Sequence, residues 1–147
     1  MANLRAAIAG LRELGLVQGV SRVYESEPYG YVDQPRFLNM AVKLRTQLAP
    51  EALLPALKEL ELRIGRAPTH RMGPRVIDLD ILFYDDVQLD SPDLRIPHPG
   101  VMDRAFVIAP LLDLDSVYGS GYDDTSVPLN RAVILLAVPM VLEMIME

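Results

Sequence analysis

Apolar residues recur in this chain with two different spacings, one typical of helices and one typical of strands. Between Leu4 and Leu14 they follow at intervals of three or four, which predicts a first helix. Asn3 is the predicted N-cap of this helix and Gly15 its predicted end. The same helical spacing over 50–65, a segment that starts with proline and ends with glycine, predicts a second helix.

Strand patterns lie between and after these helices. Residues 20–26 are predicted to form a strand, and 76–84 is a short apolar run bounded by turn residues. Residues 37–45 alternate between an apolar and a mixed face. We expect a turn after the run at 76–84, followed by a short return strand over 87–89. A third helix is predicted over 102–114.

The order of the predicted elements indicates an α+β fold. Helix, strand, strand, helix and strand are typical of a ferredoxin-like sandwich, in which helices pack on one face of an antiparallel sheet. One strand is missing from this order, because a βαββαβ unit begins with a strand and only Met1 and Ala2 precede the predicted N-cap. The length of 147 residues fits a single domain over 1–147.

Composition and charge exclude several classes of function. The formal net charge of −6 argues against a general nucleic-acid binder or a membrane-surface protein. The absence of cysteine excludes disulfides and thiolate metal sites, and the lack of an apolar signal core at the start favours the cytoplasm. Residues 132–146 are almost uncharged, but Pro139 and Glu143 interrupt them. Since a spanning helix needs about 20 apolar residues, this segment is interpreted as a packing or partner-facing element.

Two aspartates interrupt the apolar run at 76–84. Asp78 and Asp80 are two residues apart, so in a strand they lie on one face, roughly 6.6 to 7 Å from each other. Their repulsion must be offset by a proton, an arginine or a cation. One interpretation is a Mg²⁺ site completed by nucleotide phosphates, and the other is a pair of salt bridges to Arg71 and Arg75. Arginine is the side chain whose planar fork matches phosphate oxygens, so the arginines also fit the first interpretation.

Five other side chains have both a structural and a functional interpretation. His98 is either a loop histidine bonded to the backbone or a donor to a phosphate oxygen. Phe37 and Phe106 are core aromatics or stacking partners, and Glu61 is a solvated helix residue or part of a site. Asn39 is adjacent to Phe37 on the mixed strand face, where its amide offers a donor and an acceptor to a heterocycle.

Four segments resemble one known family. They are "SEPYGYVDQPRFLNMAVKL", "LELRIGR", "RMGPRVIDLDIL" and "IPHPGVMDRAFVIAPLLDL", and they resemble 6-hydroxymethyl-7,8-dihydropterin pyrophosphokinases of folate biosynthesis. The resemblance covers about residues 4–115 and leaves 116–147 as a divergent tail. It implies a ferredoxin-like fold and Mg²⁺-dependent transfer of pyrophosphate from ATP to a reduced pterin, which releases AMP.

The resemblance also implies a role for individual residues. The implied metal ligands are Asp78 and Asp80, which would hold two Mg²⁺ ions, and together with Arg71 and Arg75 they form the implied catalytic set. The implied ATP contacts are Glu61, Arg71, Arg75, Ile81, His98 and Arg104. The implied pterin contacts are Ser26, Tyr29, Phe37, Asn39 and Phe106, of which the two phenylalanines would sandwich the ring.

Three departures from the family pattern leave alternatives open. Met72 stands where the family usually has tryptophan, Pro68 stands where a loop arginine is common, and the first strand with its Gly-Ser-Asn turn is missing. Either the chain is a truncated product or another segment replaces that strand. The β-prone residues 132–138 are the candidate within the chain, and a strand exchanged between subunits through 132–146 is the other possibility. The alternatives are a catalytically impaired relative that binds nucleotide or pterin, or another Mg²⁺-dependent phosphoryl or nucleotidyl transferase.

Overall fold

Three helices and seven strands make up the part of the chain that the computed structural model describes, residues 2–26, 36–65, 77–99, 105–114 and 130–139. The helices are α1 (Ala2–Leu14), α2 (Pro50–Gly65) and α3 (Ala105–Leu114). The strands are β1 (Leu16–Val20), β2 (Tyr24–Ser26), β3 (Phe37–Thr46), β4 (Asp78–Tyr84), β5 (Leu89–Asp90), β6 (Arg95–Ile96) and β7 (Asn130–Pro139).

The first two helices lie where their apolar spacing predicts them. The predicted N-cap is wrong, because α1 already begins at Ala2 and Asn3 is buried inside it. The predicted end of α1 is confirmed, and a glycine is required there: a Cβ on Gly15 would lie 2.1 Å from the carbonyl oxygen of Arg45. The predicted bounds of α2 agree with the structure over its whole length.

Two strand predictions differ from the structure. The run at 20–26 is divided into the end of β1 and the whole of β2, and both pair with β3. The return strand expected at 87–89 is wrong as a partner of β4, because β5 pairs instead with β6. A short apolar run identifies a strand without identifying its partner, which is fixed only when the segments meet.

The antiparallel sheet has the order β1-β3-β7-β4, with β2 also paired to β3. All ten residues of β7 pair with β3, and its other edge pairs with β4. Since β1 and β7 are both antiparallel to β3, they run in the same direction. The prediction that residues 132–138 fill the interior of the sheet is therefore confirmed, and the pairing is made within the chain.

The sequence of β7 explains why it lies inside the sheet. Ala132, Ile134, Leu136 and Val138 are buried on the side of α1 and α2, and Leu135 is buried on the other side. A strand that is covered on both faces needs an almost continuous apolar run. Pairing on both edges also satisfies backbone groups that would otherwise be left without partners in the core.

Helices cover both faces of the sheet, rather than one as expected. The main core lies between the sheet and the helices α1 and α2, which approach each other so closely that a Cβ on Gly10 would lie 2.3 Å from Leu60 Cδ1. Val107 of α3 packs on the opposite face, against Leu82 and Leu135. None of the described helices is both long enough and apolar enough to cross a membrane.

Candidate active site

Asp78 and Asn39 belong to one row of residues that crosses four strands. Asp78 of β4 pairs with Ala137 of β7, Ala137 pairs with Asn39 of β3, and Asn39 pairs with Tyr24 of β2. Directly paired residues of antiparallel strands project from the same face. Because neighbouring strands are about 4.8 Å apart, Asp78 and Asn39 lie about 10 Å from each other with β7 between them.

The two aspartates have the predicted alternation. Asp78 and Asp80 are partly exposed on one face, whereas Leu79 and Ile81 are buried in the main core on the other. Among the described residues, the Asp80 carboxylate takes part in no hydrogen bond or ion pair. Arg71 and Arg75, which were the expected salt-bridge partners, lie outside the described residues, so the salt-bridge interpretation stays untested.

Two side chains of α2 bind the backbone of Leu79, the residue between these aspartates. The N–H of Leu79 donates to Glu61 Oε2 at 2.7 Å, and Lys58 Nζ donates to the Leu79 carbonyl oxygen at 3.4 Å. Lys58 Nζ also lies 3.1 Å from Glu61 Oε2. Glu61 therefore contacts the strand directly, which its position on an amphipathic helix did not indicate.

A cavity of about 280 Å³ opens between α2, β4 and the segment that contains β6. The N–H of His98 donates to the carbonyl oxygen of Leu82 at 3.0 Å, which fixes this segment beside β4. Three of the predicted site residues, Asp80, Ile81 and His98, line the cavity together. Its further lining includes the apolar Leu54 and the basic side chains of Lys58 and Arg95.

Asn39 is almost completely buried and only half satisfied. It is 1% exposed, and its Nδ2 donates to Ser26 Oγ at 2.7 Å and to the Tyr24 carbonyl oxygen at 3.3 Å. Within the described part of the chain, its Oδ1 has no hydrogen-bond partner. Ser26 pairs directly with Phe37, so three of the predicted pterin contacts lie together on one face. An unpaired buried acceptor is costly, so a ligand or a water that donates a hydrogen bond to it would be stabilising.

Arg22 and Asp113 form an ion pair that the sequence did not predict. Arg22 donates to Asp113 through its backbone N–H, Nε and Nη2, at 2.9, 3.0 and 2.8 Å. These side-chain hydrogen bonds hold the pKa of Asp113 well below its ordinary value and raise the pKa of Arg22. The pair ties the end of α3 to the connection between β1 and β2. The only sequence signal was a lone acid in the apolar helix.

Several predicted residues cannot be placed. Phe106 lies in the first turn of α3, but its side chain is outside what the structure describes. The remaining predicted residues outside the described ranges are Tyr29, Pro68, Arg71, Met72, Arg75 and Arg104.

Comparison with known proteins identifies the family. The model of the 7,8-dihydro-6-hydroxymethylpterin-pyrophosphokinase family matches residues 1–116. The chain is 49% identical over 108 residues to the 2-amino-4-hydroxy-6-hydroxymethyldihydropteridine pyrophosphokinase of Pseudomonas aeruginosa, covering 74% of this chain and 66% of that protein. It is 42% identical over 113 residues to the Bacillus subtilis protein of the same name, covering 76% and 68%.

Plant relatives are much longer. The chain is 44% identical over 128 residues to the mitochondrial folate synthesis bifunctional protein of Arabidopsis thaliana, which covers 86% of this chain. It spans 23% of the length of that protein and 22% of the Pisum sativum counterpart.

The match to the family ends at residue 116, before β7 begins. The chain belongs to the 7,8-dihydro-6-hydroxymethylpterin-pyrophosphokinase family.

Proposed function

We propose that this member of the pyrophosphokinase family transfers the pyrophosphoryl group of ATP to the hydroxymethyl oxygen of 6-hydroxymethyl-7,8-dihydropterin in folate biosynthesis. The observation that carries the proposal is the row in which Asp78 and Asn39 face the same side of the sheet across β7. This arrangement supports a metal side at Asp78 and a heterocycle side at Asn39 on one face of the sheet. The names of the bacterial relatives describe the same reaction.

The heterocycle side is formed by Asn39 and its neighbours. A pterin ring is flat and carries N–H donors at its edge, which suits the unpaired Oδ1 of Asn39. Phe37 lies two residues away on the same face of β3 and offers a stacking surface. Phe106 is proposed as the second stacking ring, and Ser26 and Tyr29 as further contacts at the ring edge.

The metal side is formed by Asp78 and Asp80. No group of three or more ligating side chains occurs within the described ranges, so these residues offer no all-protein cage for a metal. Magnesium fits this donor set, because it uses one or two carboxylates and completes its shell with water and phosphate oxygens. We propose that the two aspartates hold two Mg²⁺ ions, which when bound would neutralise charge on the triphosphate.

The cavity beside β4 is proposed as the nucleotide site. It combines the apolar Leu54 and Ile81 with the basic groups of Lys58, Arg95 and His98, and Asp80 lies at its wall. An apolar lining with a few placed polar groups is typical of small-molecule sites. The further phosphate and nucleotide contacts proposed from the family are Arg71, Arg75 and Arg104, whereas Glu61 is bonded to the backbone of Leu79.

The chemical step needs positioning more than covalent help. A bond forms between the hydroxymethyl oxygen and the β-phosphorus of ATP, and the bond from that phosphorus to the bridging oxygen of AMP breaks. The hydroxyl proton is released as the new ester forms. Asn39 would fix the pterin, while the basic groups around the cavity would hold the nucleotide. The reaction is proposed to take place in the cytoplasm, on small-molecule substrates only.

The direct test is pterin-dependent release of AMP by the purified chain in the presence of Mg²⁺. We expect AMP only when ATP, Mg²⁺ and the hydroxymethyl pterin are all present. Binding of both ligands without AMP would refute the transferase proposal and favour a binding-only relative. AMP release with a different acceptor heterocycle would instead indicate another transferase.

A matched pair of variants tests the heterocycle side. Asn39→Ala removes the buried amide and should raise the KM for the pterin about tenfold or more, while binding of an ATP analogue stays unchanged. Gln88→Ala removes an amide from an exposed position and should behave as the wild type. A normal pterin KM in Asn39→Ala would remove Asn39 from the pterin site.

A further inference from the structure

At Leu79 the outer edge of β4 is bonded by side chains of α2 rather than by another of the described strands. The inner edge of β4 pairs with β7, and β4 is the last of the described strands on that side of the sheet. In an antiparallel strand the N–H and C=O of one residue point to the same side. Both groups of Leu79 are bonded to α2, the N–H to Glu61 and the C=O to Lys58.

Glu61 and Lys58 are well placed to hold the backbone of Leu79. They lie one turn apart on α2, whose buried residues Leu57, Leu60 and Ile64 fix the helix against the core. The Glu61 side chain is only 18% exposed, and its Oε2 lies 2.7 Å from the Leu79 nitrogen and 3.1 Å from Lys58 Nζ. Glu61 Oε2 therefore contacts both Lys58 on the helix and the Leu79 nitrogen on the strand.

Leu79 lies between the two proposed metal ligands. A carboxylate pair at this spacing repels itself, and an edge strand with free backbone groups can distort to relieve the repulsion. The pairing of β4 with β7 is already irregular between Ile81 and Phe83. Fixing Leu79 limits how far Asp78 and Asp80 can turn away from each other.

We infer that Glu61 and Lys58 are positioning residues, which hold Asp78 and Asp80 in the geometry that binds metal by bonding the backbone N–H and C=O of Leu79. Glu61 thus acts on the reaction through the strand and not as a ligand of the nucleotide. Groups that orient metal ligands commonly change metal affinity 10- to 100-fold when they are removed, on the order of the effect expected here. The inference rests on the proposed function for the identity of the metal and its ligands.

The experiment compares Glu61→Ala, Glu61→Gln and Lys58→Met with the wild type. Two quantities are measured on the full chain: hydrogen exchange of the Leu79 amide by NMR, and the affinity for Mn²⁺ in the presence of a non-hydrolysable ATP analogue. We expect Glu61→Ala to speed exchange at Leu79 and to weaken Mn²⁺ binding about tenfold or more. Glu61→Gln keeps an acceptor oxygen but loses the charge that pairs with Lys58, so its effect should be smaller.

Glu59→Gln is the matched control, because Glu59 is exposed on the same helix and has no hydrogen bond or ion pair within the described part of the chain. It should leave both quantities unchanged. Unchanged Leu79 exchange and Mn²⁺ affinity in the Glu61 variants, with weaker binding of the metal-free analogue, would overturn the inference and make Glu61 a nucleotide ligand.

Two other outcomes are also decisive. If Glu61→Ala does not fold, Glu61→Gln and Lys58→Met carry the test, and normal exchange and metal affinity in both would overturn the inference. If the wild type releases no AMP, the proposed transfer fails, but Leu79 exchange and Mn²⁺ affinity still decide whether Glu61 and Lys58 position the aspartates.

Discussion

Asp78 and Asn39 pair with the same residue of β7, Ala137, from opposite sides. The proposed metal side and the proposed heterocycle side are thus separated by one small residue. Ala137 belongs to a segment outside the region that matches the family. A strand from beyond the family match therefore forms the floor of the proposed active site.

A larger side chain at this position should block the reaction. Ala137 is partly exposed, so Ala137→Leu should fold normally while its side chain covers the surface between Asp78 and Asn39. We expect pterin-dependent AMP release to fall by about 100-fold, because small displacements of reactants are costly. Val133→Leu enlarges a partly exposed residue on the same face of β7 and should have little effect. Normal turnover in Ala137→Leu would show that substrates do not cross this row.

The Asp80 carboxylate should matter much more for turnover than for folding. Among the described residues it has no ion pair or hydrogen bond, so Asp80→Ala should change the free energy of unfolding by no more than about 0.5 kcal/mol. Turnover should fall by about 100-fold or more, as expected when a group that stabilises developing charge is lost. Urea unfolding and AMP release measure the two effects. The control is Asp86→Ala in the exposed turn, and near-normal turnover in Asp80→Ala would refute the metal assignment.

The Arg22–Asp113 pair should make stability depend on pH. Its hydrogen bonds hold the pKa of Asp113 below the value of about 3.9 expected in the unfolded chain. The ionised carboxylate of Asp113 therefore stabilises the folded state when the pH is above about 3.9. This contribution is lost as the pH falls below that value towards the lower pKa of the folded state. The difference in unfolding free energy between the wild type and Asp113→Asn should be largest above about pH 5 and should shrink below about pH 4. An equal difference in unfolding free energy at pH 7 and pH 3 would contradict the prediction. Asp93→Asn, at an exposed position, is the control.

The interior position of β7 should be visible in hydrogen exchange. β7 is paired along both edges, whereas β1 lies at the edge of the sheet. We expect amides of residues 130–139 to exchange as slowly as those of β3 and more slowly than those of β1. Mass spectrometry of peptic fragments measures this directly. Rapid exchange throughout 130–139 would mean that this segment does not stay in the sheet.

Much of the local structure follows from the sequence alone, because periodicity is a property of neighbouring residues. The helical spacing placed α2 at its observed bounds, and the period of two put Asp78 and Asp80 on one face opposite Leu79. The motifs likewise indicated the family that the comparisons identify. The N-cap at Asn3 was wrong because a side chain suited to a cap can also be buried inside a helix.

The tertiary structure decided which distant segments meet. Arg22 and Asp113 are 91 residues apart, and no spacing rule connects them. The positions of Lys58 and Glu61 showed that they can pair with each other, but not that they hold Leu79. The apolar run of β7 predicted a buried strand, yet its place between β3 and β4 depends on hydrogen bonds at both edges and burial on both faces. Local pattern therefore determined the elements and the candidate chemistry, while long-range pairing and burial assembled them into one site.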